Sequence, residues 1–474
     1  MASGIQNHIM KGLASSMTAR VLSMAIRIIS VLLLPIWLDP SDIGYIALIL
    51  ACINLPIAFS DLGFGSALIK QKDLDENDYR AVYTLNVVTG LILVVVLFFG
   101  AGVLSSWMDA PDLAKYLPIA VWAIPFSVFA IVPNAKLQKD LRFVSLAKRD
   151  FIGELAYSLI TVILAAAGFG VYCVAIGLIA HRFVRFLLAR IAVDWKPALV
   201  WRPSAIRKMF GFSFYQSLSL IFTQLFYNLD KILLATFLSP TALGYYNLSY
   251  QVGVSPIYSL MGTVKNVFFA AFVKIQDNLK ESAQIFGKIL KYSILLPVAI
   301  SAVGMPWIQY IPVVYGEKWA DAVPIAQFLF AFSVIITMDI YEGIVIAIGK
   351  VRVRVISSFV RLVLMVGALC LLNKLVTLTP LMVAICLVSC CCLAGMINLF
   401  VILRKLQFSW RQFFSTLRAV PGVLLLLGIS LFLTLGGFLN SIWSVIAFFI
   451  LICAFLVVFF RKDIREGIRL ILKR

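Results

Sequence analysis

The chain has 474 residues, 62% of them apolar and only 13% charged, and its mean hydropathy is +1.00. Soluble domains run about half apolar and about a quarter charged, and single cores stop growing near ~300 residues, so a water-soluble reading is excluded and lipid is the solvent. The formal charge of +19 does not describe a nucleic-acid surface, because the basic residues fall in short clusters between apolar runs rather than in one patch.

A membrane-crossing helix needs about 20 mostly apolar residues. In chain order the apolar runs predict spans at 17–38, 43–62, 82–106, 113–132, 150–168, 171–192, 210–237, 243–272, 287–313, 322–348, 352–373, 378–402, 417–438 and 441–460. The expected fold class is all-α integral membrane with fourteen transmembrane helices. The first span follows a polar, weakly amphipathic stretch from Ser3 to Ser16. No small-residue cleavage site follows it, so it reads as an uncleaved anchor rather than a signal peptide.

Charge placement tests that count. With both termini cytoplasmic, the cytoplasmic side collects all but four of the 41 Lys and Arg; Lys115, Lys318 and Lys374 fall outside and Lys231 inside a span. A wrong span count would scramble this positive-inside alternation. The outer connections, such as Asp39–Asp42 and Ser239–Leu243, are short. Trp37, Trp107, Trp307, Trp319 and Trp443 near the outer boundary, and Trp195, Trp201 and Trp410 near the inner one, are expected as interfacial anchors.

An internal repeat organises the helices. Leu38-Asp39-Pro40-Ser41-Asp42-Ile43-Gly44-Tyr45 returns as Leu238-Ser239-Pro240-Thr241-Ala242-Leu243-Gly244-Tyr245, and Leu117-Pro118-Ile119-Ala120 as Val323-Pro324-Ile325-Ala326. An even number of spans separates each pair, so the halves run parallel. Two parallel six-helix lobes are a transporter architecture. The expected division is an N-terminal lobe at 1–205, a C-terminal lobe at 206–414, and two C-terminal helices with a basic tail at 415–474.

Two motifs carry a resemblance across nearly the whole chain. They are Asp61-Leu62-Gly63-Phe64-Gly65-Ser66-Ala67-Leu68-Ile69, and Asn228-Leu229-Asp230-Lys231 through Leu243-Gly244-Tyr245-Tyr246. With fourteen helices in two lobes plus two, they resemble the polysaccharide transporter branch of the multidrug/oligosaccharidyl-lipid/polysaccharide exporter superfamily. Its Wzx-type members are bacterial flippases for lipid-linked sugar repeat units. The resemblance implies two lobes around a central cavity in the bacterial inner membrane. Alternating access would then carry an undecaprenyl-diphosphate-linked oligosaccharide outward, with cavity cations holding the diphosphate and an ion gradient driving the cycle. Membrane lipids, a polysaccharide polymerase and a chain-length regulator are the implied partners; no cofactor and no catalytic residue are implied.

Ionisable groups inside a span cost ~2.5–3.5 kcal/mol each on insertion scales, which makes each a candidate. Arg20 and Arg27 lie seven apart on one helix face, and a guanidinium grips phosphate bidentately where an ammonium cannot. Facing a cavity and snorkelling to headgroups are both open for them. Arg361, Lys265 and Lys231 are the other deep cations; with Arg20 and Arg27 they form the expected substrate-binding set. Asp230 adjoins Lys231 but points about 100° away. Asp339 and Glu342, three apart, share a face, and paired carboxylates in low dielectric suit proton exchange. These three are the ion-coupling candidates; interhelical ion pairing is the competing reading for Asp230 and Lys231, and Glu342 simply lining water is the competing reading for the carboxylate pair. Glu154 stands near Arg149 as a further pair. His8 and His181 are too few and too scattered for a metal site, and the eight cysteines, all in apolar runs, lack C-x-x-C spacing.

Two other functions compete. A drug exporter of the same superfamily is disfavoured by deep cations that suit an anionic cargo. A membrane polymerase or ligase is disfavoured by outer loops too short to carry catalytic residues. Gly343 to Lys350 echoes a P-loop only faintly, since Val351 stands where Ser or Thr must reach magnesium.

Overall fold

A computed structural model describes residues 22–71, 73–211, 236–262, 279–348, 350–418, 420–436 and 442–459, with five further positions between 213 and 234. Among the described residues there is helix and no strand. The chain divides into two compact units, Met1–Asn247 and Leu248–Arg474. The first contains α1 (Leu22–Ile36), α2 (Pro40–Ser60), α3 (Phe64–Lys70), α4 (Glu76–Trp107), α5 (Leu113–Ala120), α6 (Ala123–Phe129), α7 (Ile131–Lys139), α8 (Phe143–Ala166) and α9 (Tyr172–Ile191). Helix α10 (Pro240–Gly253) runs across the boundary. The second holds α11 (Leu279–Ile308), α12 (Ile311–Tyr315), α13 (Ala322–Ala331), α14 (Ser333–Ile336), α15 (Ile340–Ala347), α16 (Val351–Leu375), α17 (Pro380–Lys405), α18 (Trp410–Thr416), α19 (Val420–Leu435) and α20 (Ile442–Phe459).

The described parts of the expected spans are largely helical, with interior turns at 121–122, 130, 254, 309–310 and 332. By length and composition, seven described helices suffice to cross a membrane, and nine do if each bent pair is one span. Local chemistry sets where they begin. Asp39 and Thr379 each precede a proline, an N-cap before a residue whose missing N–H costs nothing at the first helical position. The Asp39 N–H donates to the Asp42 carboxylate at 3.1 Å, and the Met382 N–H to the Thr379 hydroxyl at 3.3 Å. Lipid sets which faces stay bare. On α4, Ile92, Val96, Phe99 and Val103 recur at helical spacing and are all exposed, which is the apolar stripe of a helix solvated by acyl chains.

In two of the interrupted spans the cause is identifiable. The segment expected at 113–132 is α5, α6 and α7 in succession, and Pro125 and Pro133 each stand third in their helix. A proline in a helix interior loses a hydrogen bond and clashes one turn back, so the backbone restarts to seat each ring in a first turn. The segment expected at 322–348 bends by 60° between α13 and the helix that follows. No proline stands at this bend. The Ser301 hydroxyl, from α11, donates to the Phe330 carbonyl at 2.7 Å and lies 3.0 Å from the Ser333 hydroxyl. A side chain inserted into the backbone ladder is an established cause of a kink.

The repeated motif meets itself in the first unit. Pro40 and Gly44 open α2, Pro240 and Gly244 open α10, and the two first turns cross. A Cβ built on Gly44 would fall on the Pro240 carbonyl, and one on Gly244 would fall on the Pro40 carbonyl. Two tryptophans expected at interfaces are instead core residues. Trp195 is buried edge-on against Tyr83, with ring centroids 5.4 Å apart, and Trp319 is wholly buried. Packing turns both rings inward. Trp37, Trp107, Trp201, Trp307, Trp410 and Trp443 are exposed.

Candidate functional site

In the first unit the charged groups collect where α1 lies against the α8–α9 hairpin. That hairpin turns through Gly168 and Gly170, both at positive φ, a backbone region glycine enters without penalty. Its helices approach closely at Gly153, where a Cβ would lie 2.5 Å from Arg185 Cγ. The Ser158 hydroxyl donates to the Ser30 hydroxyl at 3.1 Å and fixes α1 in register on α8. About one turn from that bond on each helix, Arg27 and Glu154 face one another, with Arg27 Nε 3.9 Å from Glu154 Oε1. His181 Nε2 stands 3.7 Å from the other Glu154 oxygen.

One turn away on α8, Asp150 is held more firmly. Arg149 donates to it from Nε at 2.9 Å, and Arg185 Nη2 lies 2.8 Å from the same oxygen. Arg149 also donates to the Asn134 side-chain oxygen Oδ1. The expected Glu154–Arg149 pair does not form. Arg149 turns to its neighbour Asp150, and Glu154 points toward α1 and α9. Arg182 Nη2 donates to Asn54 on α2 at 3.2 Å, while Arg182 Nε is buried with no hydrogen-bond partner among the described residues. Four guanidiniums therefore face two carboxylates, a surplus of two positive charges before His181 is counted.

In the second unit, Glu342 on α15 lies between two cations of α16. Its oxygens are 3.6 Å from Arg354 Nε and 3.8 Å from Arg361 Nη2. Arg354 and Arg361 are seven apart and so share a face over two turns. Asp339 closes the 3-10 turn before α15 and accepts a 2.7 Å hydrogen bond from the Tyr258 hydroxyl. The sequence spacing placed Asp339 and Glu342 together. The tighter turn gives the pair different partners, a tyrosine for one and two arginines for the other.

Of the sequence candidates, Arg27, Arg361, Asp339 and Glu342 are thus placed. Arg20, Asp230, Lys231 and Lys265 lie outside the described residues. Sequence reasoning singled out neither Arg182 nor Arg185, and weighed His181 only as a metal ligand. The available signal was spacing: Asp150 and Glu154, like His181 and Arg185, are four apart and so stack on one face of adjacent helices.

Residues 33–324 match the family model described as polysaccharide biosynthesis protein. The chain belongs to this polysaccharide biosynthesis protein family. Among curated members, it is 28% identical over 298 residues to the teichuronic acid biosynthesis protein TuaB of Bacillus subtilis (strain 168), covering 61% of each chain. It is 26% identical over 322 residues to the lipopolysaccharide biosynthesis protein WzxC of Escherichia coli (strain K12), covering 66% of this chain and 64% of that one. The match thus spans less than two-thirds of either relative's length. Among solved structures, the lipid II flippase MurJ in an inward closed conformation shares the family member's fold, with a TM-score of 0.70 at 16% identity over 96% of this chain and all of that one.

Proposed function

We propose that this chain is a flippase that moves a lipid-linked oligosaccharide, carried on undecaprenyl diphosphate, across the bacterial inner membrane for surface polysaccharide assembly. The observation that carries the reading is the cluster of Arg27, Arg149, Arg182 and Arg185 around Asp150 and Glu154. A diphosphate diester bears two negative charges, and the cluster holds a surplus of two positive ones. Family membership supports a polysaccharide precursor as cargo, and MurJ supports the fold. A drug cation would meet repulsion here.

The finer architecture belongs to the same proposal: fourteen transmembrane helices, both termini cytoplasmic, lobes at 1–205 and 206–414, and two further helices at 415–474. So does transport without catalysis, in step with a polymerase and a chain-length regulator. Arg20, Lys231, Lys265 and Arg361 remain proposed substrate cations, and Asp230, Asp339 and Glu342 proposed coupling groups.

Complementation of a flippase-deleted strain tests the site, with membrane levels followed by blot. A charge-assisted hydrogen bond contributes ~1.5–3 kcal/mol, which is roughly tenfold or more in affinity. Arg27→Ala and Arg182→Ala should each impair surface polymer severely, and Arg27→Lys should restore only part. Loop variants at Arg404 and Lys405 should matter little. Full complementation by both alanine variants at normal abundance would refute the site.

A further inference from the structure

Asp150 and Glu154 stand one turn apart on the same face of α8, yet they are held differently. Asp150 is locked by two guanidiniums at hydrogen-bond distance. Glu154 is not: its oxygens lie 3.9 Å from Arg27 Nε and 3.7 Å from His181 Nε2, both beyond hydrogen-bond reach. The Glu154 side chain is nearly buried at 13% exposure, whereas that of Arg27 is 66% exposed. A nearly buried carboxylate is thus held by an arginine that is free to reach elsewhere.

We propose that Glu154 is the resident counter-ion of the empty cation cluster, occupying Arg27 until a diphosphate arrives and reclaiming it when the diphosphate leaves. Glu154 is the mostly desolvated partner, and a carboxylate at ionic but not hydrogen-bond distance balances the guanidinium charge without competing as strongly as a fully formed pair. The arriving diphosphate offers Arg27 charge-assisted hydrogen bonds that Glu154 does not. Asp150 is excluded from this role because its partners are already engaged at close range. The other charged and titratable groups around Glu154 are Asp150 and Tyr157 on its own helix and Arg182 and Arg185 on α9.

This inference rests on the diphosphate reading above and is separable from it by a double-mutant cycle. The probe is farnesyl diphosphate, titrated into the purified full-length chain in nanodiscs at neutral pH with intrinsic tryptophan fluorescence as readout. Glu154→Gln should bind the probe about tenfold more tightly than wild type, since Arg27 no longer has an anion to give up. Glu154→Asp should bind nearly as wild type does. In an Arg27→Ala background the Gln substitution should no longer tighten binding, because the pair it releases is gone. Thermal melts confirm that each variant is folded. If Arg27→Ala and Arg182→Ala weaken binding but Glu154→Gln leaves it unchanged, or tightens it equally without Arg27, the counter-ion role is overturned and the site stands. If the two alanine variants bind as wild type does, the diphosphate site itself falls.

Discussion

Replacing Glu342 by Gln removes a nearly buried charge while preserving shape. Both the Glu342 and Arg361 side chains are only 6% exposed, and the carboxylate is shared with Arg354. At about 4 Å and an effective dielectric constant near 20, one such attraction is worth about 4 kcal/mol before desolvation is counted. Breaking a buried pair from one side typically costs about 3–5 kcal/mol because the surviving charge is stranded. The contacts here exceed hydrogen-bond distance, which places Glu342→Gln at the lower end, ~3 kcal/mol. Removing Arg361 as well, as Glu342→Gln/Arg361→Gln, should recover part of that loss. The assay is thermal unfolding in detergent, followed with a thiol-reactive fluorogenic dye. Cys386, Cys390 and Cys391 are buried, and Arg361 Nη1 lies 4.0 Å from Cys391 Sγ, so unfolding at the pair exposes the reporter. Glu342→Gln should melt several degrees lower and the double variant in between. A single variant that melts like wild type would show that water, not Glu342, compensates these arginines.

Three further outcomes follow from other parts of the structure. At the crossing of α2 and α10, Gly44→Leu and Gly244→Leu force the Pro240 or Pro40 backbone aside and should sharply lower membrane abundance, whereas Gly100→Leu, with no atom within 4 Å of its Cβ site, should be tolerated. Asp75, the N-cap of α4, is held below the usual carboxylate range by the Arg202 guanidinium, helped by the Asp78 N–H. That clamp therefore strengthens folding above the ordinary Asp pKa and is lost as pH falls through the lowered one. Acidification should raise protease susceptibility of residues 194–202 in wild type and change it less in Arg202→Gln. Single cysteines at Ser239 and Asn440 should react with an impermeant maleimide from outside, and cysteines at Lys196 and Lys462 only from inside; outside labelling at Lys196 would remove the fourteen-span arrangement.

The sequence alone determined the solvent and the all-helical class. Those properties are one-dimensional: twenty apolar residues must be helical in hydrocarbon because each backbone group needs a partner within its own segment. Asp39-Pro40 and Thr379-Pro380 mark helix starts by chemistry that acts within four residues. The repeat, too, was legible as a pattern. What it does was not, since only the folded chain brings Gly44 against Pro240 and Gly244 against Pro40. The candidate site was legible one charge at a time. Arg27 was found by its depth, but Glu154, His181, Arg182 and Arg185 acquire meaning only when the α8–α9 hairpin and the Ser30–Ser158 bond set three helices in register. The same holds for Asp339 and Glu342, whose spacing promised a pair and whose 3-10 turn gave them separate partners. Depth along a helix is written in the sequence; the direction a side chain faces is settled by which neighbouring helix packs there, and that is a property of the tertiary structure.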